Sequence, residues 1–246
     1  MTERLPEAAD PRATELAGRL AVVRRRIAAA AAAAGRRDSL PSLIVVTKFH
    51  PAADIRRLAA LGVTDVGENR DQEAAAKAAE LSDCALNWHF VGQLQTKKSR
   101  SVVKYATAVH SVDRPQLVDA LDRAMAVEME ASRRLPLECF IQVSLEDDAG
   151  AHRGGAAPGD VPGLAERIAG ASGLRLAGVM AVAPLGAPPG PAFEKLSRIS
   201  ADLAASHPEA RGISAGMSQD LEAAVQFGAT HLRIGSDILG TRPAVR

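Results

Sequence analysis

The chain is poor in aromatic residues, in cysteine and in lysine, and each shortage narrows what it can be. Phe, Trp and Tyr make up 3% of its 246 residues, so any core must be built from aliphatic side chains. The two cysteines, Cys84 and Cys139, lie far apart and in no metal-ligand spacing. That excludes a disulfide scaffold and a cysteine zinc site, and points to free thiols in a reducing compartment. No apolar run approaches the roughly 18 residues of a membrane span. Arg24-Arg25-Arg26 before the alanines of residues 28–34 has the outline of a leader segment. Alanine is a weak hydrophobe, however, and Arg36-Arg37 follow, so a helix of a folded cytoplasmic protein is expected instead. Charge excess is missing too: 30 basic against 29 acidic residues leave a formal net charge of +1, unlike the strongly basic nucleic-acid binders. Only six of the basic residues are lysine, so each lysine is a candidate for a role that arginine cannot fill.

What is present is a regular alternation. Residues 1–12 are polar, carry Pro6 and Pro11 and lack periodicity, and are expected as a flexible tail. From Ala13 to Ala34, the apolar Leu16, Leu20, Val23 and Ile27 recur at three or four residues, one face of a helix that Gly35 ends. Short apolar, β-branched runs then alternate with helical segments. The runs are Leu43–Thr47, Thr64–Val66, Trp88–Val91, Ala108–Val112, Leu137–Val143, Leu174–Val182, Gly212–Ser214 and His231–Gly235. Helices are expected over Pro51–Leu61 and Arg70–Leu81, from about Thr96, Pro115 and Val161, and over Pro191–Ser206 and Gln219–Phe227. Eight strand–helix units in about 200 residues predict one α/β domain over residues 13–246, a single (β/α)8 TIM-type barrel with an extra N-terminal helix. The alternative, an open doubly wound sheet, lacks a G-x-G-x-x-G after its first strand.

Barrel enzymes carry their chemistry at the C-terminal ends of the strands. Lys48 stands just past the first strand, where partial desolvation would lower its pKa and make it a nucleophile toward aldehydes; arginine could not replace it in that chemistry. A merely solvated strand-end lysine is the competing view. At the far end of the chain, Gly216-Met217-Ser218 follows the seventh strand and Arg233-Ile234-Gly235-Ser236 ends the eighth. These are the loops from which barrels often build a phosphate site. Ser218 is also placed to cap the helix expected from Gln219. A lysine facing a phosphate site leaves two ligands open: pyridoxal 5'-phosphate (PLP), or a sugar phosphate held as a Schiff base in a cofactor-free aldolase. Arg233 points into the barrel from the eighth strand, and a pyridine nitrogen would accept its hydrogen bond.

Several motifs occur in one order: Val46-Thr47-Lys48, Gly67-Glu68-Asn69, Trp88-His89-Phe90-Val91-Gly92-Gln93, Met180-Ala181-Val182-Ala183-Pro184, Gly216-Met217-Ser218, and Arg233-Ile234-Gly235-Ser236 with Gly240 and Arg242. In this combination the chain resembles the YggS/PROSC family of PLP-binding proteins from about Leu16 to Arg242. The resemblance implies a barrel similar to the N-terminal domain of alanine racemase, with PLP bound to Lys48 as a Schiff base. It also implies that Ser218 and the backbone of Gly235 and Ser236, with the Met217 N–H, hold the phosphate. Arg233 would face the pyridine nitrogen and Asn69 would lie near the ring. Departures from the family pattern are Thr96-Lys97-Lys98, where the family often has an asparagine, and Arg153-Gly154-Gly155, where it has a lysine; arginine cannot bind PLP covalently.

Other polar residues have plainer expectations. His89 and His110 lie inside strands and are expected as satisfied interior residues. Lys97, Lys98 and Arg100 form a solvated basic patch, or a docking surface for apo-enzymes that need PLP. Asp147-Asp148 completes no metal site, and Glu68 and Glu73 are expected to support the loop around Asn69. The implied function is intracellular PLP homeostasis and delivery, without strong catalysis, by a monomer that binds neither nucleic acid nor membrane. An arginine does not protonate the pyridine nitrogen as an aspartate would, leaving a poorer electron sink. The second, β-rich domain that carries one racemase base is not expected here either. A PLP-dependent amino-acid racemase and the Schiff-base aldolase are the alternatives.

Overall fold

The computed structural model describes residues 10–146 and 154–241. The first half runs α1 (Pro11–Ala33), β1 (Ser42–Val46), α2 (Ala52–Ala60), β2 (Asp65–Glu68), α3 (Asp71–Glu80), β3 (Asn87–Phe90), α4 (Ser99–Val102), β4 (Ala106–Val112) and α5 (Pro115–Ser132). The second half runs β5 (Leu137–Gln142), α6 (Val161–Ala169), β6 (Leu174–Met180), α7 (Pro189–Ser206), β7 (Gly212–Ser214), α8 (Leu221–Gln226), β8 (His231–Ile234) and α9 (Ser236–Leu239). The eight strands pair in sequence order, all parallel, and β8 closes on β1 with Val45 opposite Ile234. This is the expected (β/α)8 barrel with its N-terminal helix. The strands read as near-continuous apolar runs because both of their faces are buried, one toward the lumen and one under the helices.

Helix α1 packs on α2, α8 and α9. Its expected stripe, Leu16, Leu20, Val23 and Ile27, is buried, and each such side chain contributes roughly 1.5–3 kcal/mol on burial. The helix starts earlier than expected, so residues 11 and 12 do not belong to a tail. The Asp10 carboxylate accepts from the Arg12 and Ala13 N–H groups (2.9 and 3.3 Å) and Pro11 sits at the first helical position, a start signal that the proline had masked. Residues 1–9 of the expected tail, Asp147-Asp148, Arg153 and Arg242 lie outside the described residues. The basic helix expected from Thr96 is a single 3-10 turn, Thr96–Lys98, followed by the short α4.

The core is aliphatic and lies mostly between strands and helices. A smaller apolar group, Ala108, Phe140, Ala177 and Met180, forms a second cluster. Among the described residues, no helix is long and apolar enough to cross a membrane.

Candidate functional site

Lys48 leaves the C-terminal end of β1 with its side chain exposed, while the backbone on either side of it is held tightly. Thr47 is buried, its N–H donates to Gly67 O (2.9 Å), and its hydroxyl donates to Glu68 Oε1 (2.7 Å). Phe49 adopts φ +69°, a left-handed conformation costly for a bulky side chain, and its N–H donates to Glu73 Oε1 at 2.7 Å. The Arg70 guanidinium lies 5.1 Å from the Phe49 ring centroid.

Both carboxylates converge on Lys77 of α3. Its Nζ lies 2.7 Å from Glu68 Oε1 and 2.6 Å from Glu73 Oε1, and donates to Thr47 O at 3.0 Å. Lys77 and Glu68 are buried, at 7% and 1% exposure. Burial pushes the Glu68 carboxyl above its ordinary value, with Lys77 opposing. The expectation that Glu68 and Glu73 support the Asn69 loop is therefore corrected: their bonds run to the residues flanking Lys48. Sequence reasoning missed Lys77, although its scarcity as a lysine and its i,i+4 spacing from Glu73 were visible signals.

Asn69 follows β2 at the same rim. Its Oδ1 is buried and has no hydrogen-bond partner among the described residues. Its backbone is pressed by Gly92, where a Cβ would stand 2.3 Å from Asn69 O, so only glycine fits. Beside it opens a cavity of about 480 Å³ lined by Asn69, Glu73, Phe90, Gln93 and Lys98 among others.

The β7 and β8 ends form a hydroxyl-lined cradle. Ser218 Oγ and Ser236 Oγ are 3.2 Å apart. Ser218 does not cap α8, whose N-cap is Asp220, because residues 218–220 form a turn before the helix begins. Asp220 Oδ1 instead accepts the Met217 N–H (2.5 Å), so the donor expected to face a phosphate is already engaged. Gly216, at φ +94°, makes this turn; a Cβ there would lie 2.7 Å from Leu232 Cδ2. Gly235 is the N-cap of α9, and a Cβ on it would approach Val46 O to 3.1 Å. The first N–H groups of α9, beginning at Ser236, have no acceptor within their helix. Arg26 of α1 ties the two loops together from behind, through Ser218 O (3.0 Å), Glu222 (2.9 Å) and Asp237 (2.6 Å). Nothing local in the sequence announced that role.

Arg233 is buried at 5% exposure. It donates to Ser214 Oγ (2.6 Å) and to Ala181 O (2.9 Å), and no carboxylate among the described residues pairs with it. Burial pulls its pKa down to about 10, with Asp220 opposing, so it stays cationic at neutral pH. His89 and His110 are satisfied interior residues as expected, bonded to each other at 2.9 Å. In the basic patch, Lys97 and Arg100 are exposed, whereas Lys98 pairs with Asp71 at 3.3 Å. No group of three or more His, Cys, Asp or Glu among the described residues could hold a metal ion, and Cys84 and Cys139 are free.

Among the described residues, an unpartnered amide oxygen, a buried guanidinium without a carboxylate, and a cradle of two hydroxyls at a helix start share one rim with an exposed lysine. The donor set suits an anionic phosphate together with a ring whose nitrogen accepts. Comparison with known proteins bears on this. The family model for the alanine racemase N-terminal domain matches residues 19–243. The chain is 43% identical over 242 residues to the pyridoxal phosphate homeostasis protein of Mycobacterium leprae, covering 93% of each. It is 43% identical over 220 residues to that of Corynebacterium glutamicum, covering 89% of this chain and 98% of the other. Among solved structures, PipY of Synechococcus elongatus PCC7942 with PLP bound is 34% identical with a TM-score of 0.76, covering 92% of this chain and all of its own. With a shared barrel, a family model matched over residues 19–243 and identity along nearly the whole length, the chain belongs to the alanine racemase N-terminal domain family, as a YggS/PROSC member.

Proposed function

We propose that the protein binds PLP at this rim and serves its intracellular homeostasis and delivery rather than a reaction of its own. PLP, when bound, supplies an aldehyde that condenses with an amine, a pyridine ring that can withdraw electrons, and a phosphate. In this reading Lys48 provides the amine, held in place by the clasp on Thr47 and Phe49. Ser218, Ser236 and the backbone at Gly235 and Ser236 take the phosphate. Asn69 lies beside the ring and offers its free Oδ1, and Met217 contributes no N–H. The observation that carries the reading is Arg233, a buried cation that no carboxylate among the described residues pairs with and that is free to face a neutral acceptor.

Relatives named pyridoxal phosphate homeostasis proteins also favour a carrier over a racemase. A guanidinium that keeps its proton leaves the pyridine nitrogen unprotonated, and racemisation further needs placed bases on both faces of the substrate. The protein would act as a monomer in the cytoplasm, with apo-enzymes that use PLP as its partners. Borohydride reduction of the PLP-loaded protein followed by peptide mass spectrometry should place the label on Lys48. The Lys48→Ala protein should fold and stay unlabelled; a label on Lys98 or Lys195 overturns the assignment. Proton NMR of amino acids in deuterated water should show negligible exchange at the alpha carbon. Rapid, Lys48-dependent exchange would restore the racemase.

A further inference from the structure

The barrel lumen holds a continuous line of polar side chains that phosphate and amine binding do not account for. Asp65, the first residue of β2 and so at the rim opposite Lys48, has Oδ1 3.0 Å from His89 Nε2. His89 Nδ1 lies 2.9 Å from His110 Nε2, and His110 Nδ1 lies 2.8 Å from Ser214 Oγ. Ser214 Oγ in turn accepts from Arg233 at 2.6 Å. His110 and Ser214 have no exposure at all. Phe140 stacks on His110 at 4.3 Å, and His231 stands edge-on to it at 6.3 Å with its own Nδ1 bonded to Thr230.

The two ends of the line favour one direction for its hydrogen bonds. Burial raises the Asp65 carboxyl, but hydrogen bonds from His89, Thr64 and Asn87 outweigh it and hold the group at about 2. It is therefore ionised at neutral pH, and an ionised carboxylate only accepts. A direction that suits both ends has His89 Nε2–H donate to it and His89 Nδ1 accept from His110 Nε2–H. His110 Nδ1 is bare in turn and accepts a hydrogen bond from the Ser214 hydroxyl. The Ser214 oxygen keeps its lone pairs for Arg233, which only donates. His110 stays neutral, because burial above all, with cationic Arg233 adding to it, holds its pKa well below the ordinary histidine value.

We propose that Asp65, His89, His110 and Ser214 form a one-directional hydrogen-bond relay that supplies buried Arg233 with its counter-charge from the opposite end of the barrel. Asp65, His89 and His110 are thereby positioning residues for the ring that Arg233 faces; only this last clause rests on the proposed PLP role. The physical logic is separation. A carboxylate directly beside Arg233 would compete with the ligand for its N–H groups and would stand next to the pyridine nitrogen. Delivered through three neutral groups, the charge orients and polarises the guanidinium, since hydrogen bonds in a low-dielectric interior reinforce one another.

The test is nitrogen-15 NMR of histidine-labelled full-length protein, without and with PLP. The expected result is that His89 and His110 are both neutral with the proton on Nε2. A proton on His110 Nδ1, or an imidazolium at either position, overturns the relay, and this holds whether or not PLP binds. The second arm is Asp65→Asn, with unaltered signals elsewhere showing that it folds. It should change the His110 nitrogen shifts and also shift the visible absorption band of bound PLP, although residue 65 lies at the far rim. Unmoved His110 signals overturn the relay. Moved His110 signals with an unmoved PLP band overturn the positioning role alone. If no PLP binds even the unaltered protein, the cofactor reading fails while the tautomer measurement still decides the relay.

Discussion

Replacing Lys77 with methionine is the sharpest test of how Lys48 is held. The substitution keeps the volume of the stem and removes the ammonium that lies 2.7 Å from Glu68 and 2.6 Å from Glu73. Glu68 is 1% exposed and Lys77 is 7% exposed, so the carboxylate is left with little solvent to replace its partner. Removing one member of a buried pair costs about 3–5 kcal/mol, a large share of the roughly 5–15 kcal/mol that stabilises a typical domain. The loss should depend on pH in a definite sense. Burial already raises the Glu68 carboxyl above its ordinary 4.5, and Lys77 is what opposes that rise. Without Lys77 the folded protein binds a proton that the unfolded chain has already released, so stability falls as pH rises from 4.5 to the raised folded value. Urea unfolding followed by circular dichroism, at neutral and at mildly acidic pH, reads both effects. The variant should lose about 3–5 kcal/mol at neutral pH and recover part of it in acid. Its borohydride labelling at Lys48 should slow, because the Thr47 carbonyl and the Phe49 N–H lose their common anchor. A loss under about 1 kcal/mol, with labelling unchanged, would refute the clasp. Should the variant not fold, Thr47→Val probes the same cluster more gently: it removes the 2.7 Å hydroxyl bond to Glu68, worth roughly 1.5–3 kcal/mol.

Three further outcomes are expected. Ser218→Ala should weaken PLP binding by roughly 1.5–3 kcal/mol, the worth of a hydrogen bond to a charged group, and leave pyridoxal, which has no phosphate, nearly untouched; equal loss in calorimetric titrations of both ligands would contradict the phosphate role. Arg26→Ala should lower stability by about 1–2 kcal/mol, given one hydrogen bond to Ser218 O and two half-exposed ion pairs. It should also weaken PLP more than pyridoxal, because the bracing of Ser218 and α9 goes with it; stability lost with no such difference would limit Arg26 to a structural part. Gly92→Ala should disrupt Asn69, since a Cβ would stand 2.3 Å from its carbonyl oxygen. An unfolding midpoint matching that of the unaltered protein would show that the loop yields freely.

The barrel was legible in the sequence because strands buried on both faces and amphipathic helices write their period into adjacent residues. Once the strands were placed, the strand-end rule located Lys48, Ser218, Arg233, Gly235 and Ser236 at one rim without any knowledge of side-chain contacts, and the family resemblance added Asn69. The start of α1 is legible too, in Asp10 followed by Pro11 at the first helical position. Tertiary structure alone decided what those residues do with their hydrogen bonds. The Met217 N–H was expected to face a ligand, and a turn of three residues gives it to Asp220 instead. Lys77 turns inward between Glu68 and Glu73, Arg26 reaches across 192 residues of chain to Ser218, and Asp65 is joined to Arg233 through His89, His110 and Ser214. Periodicity records where a backbone must bury one face. It holds no record of which polar groups meet when β8 closes on β1, and a buried polar group takes its role from the partner it meets there.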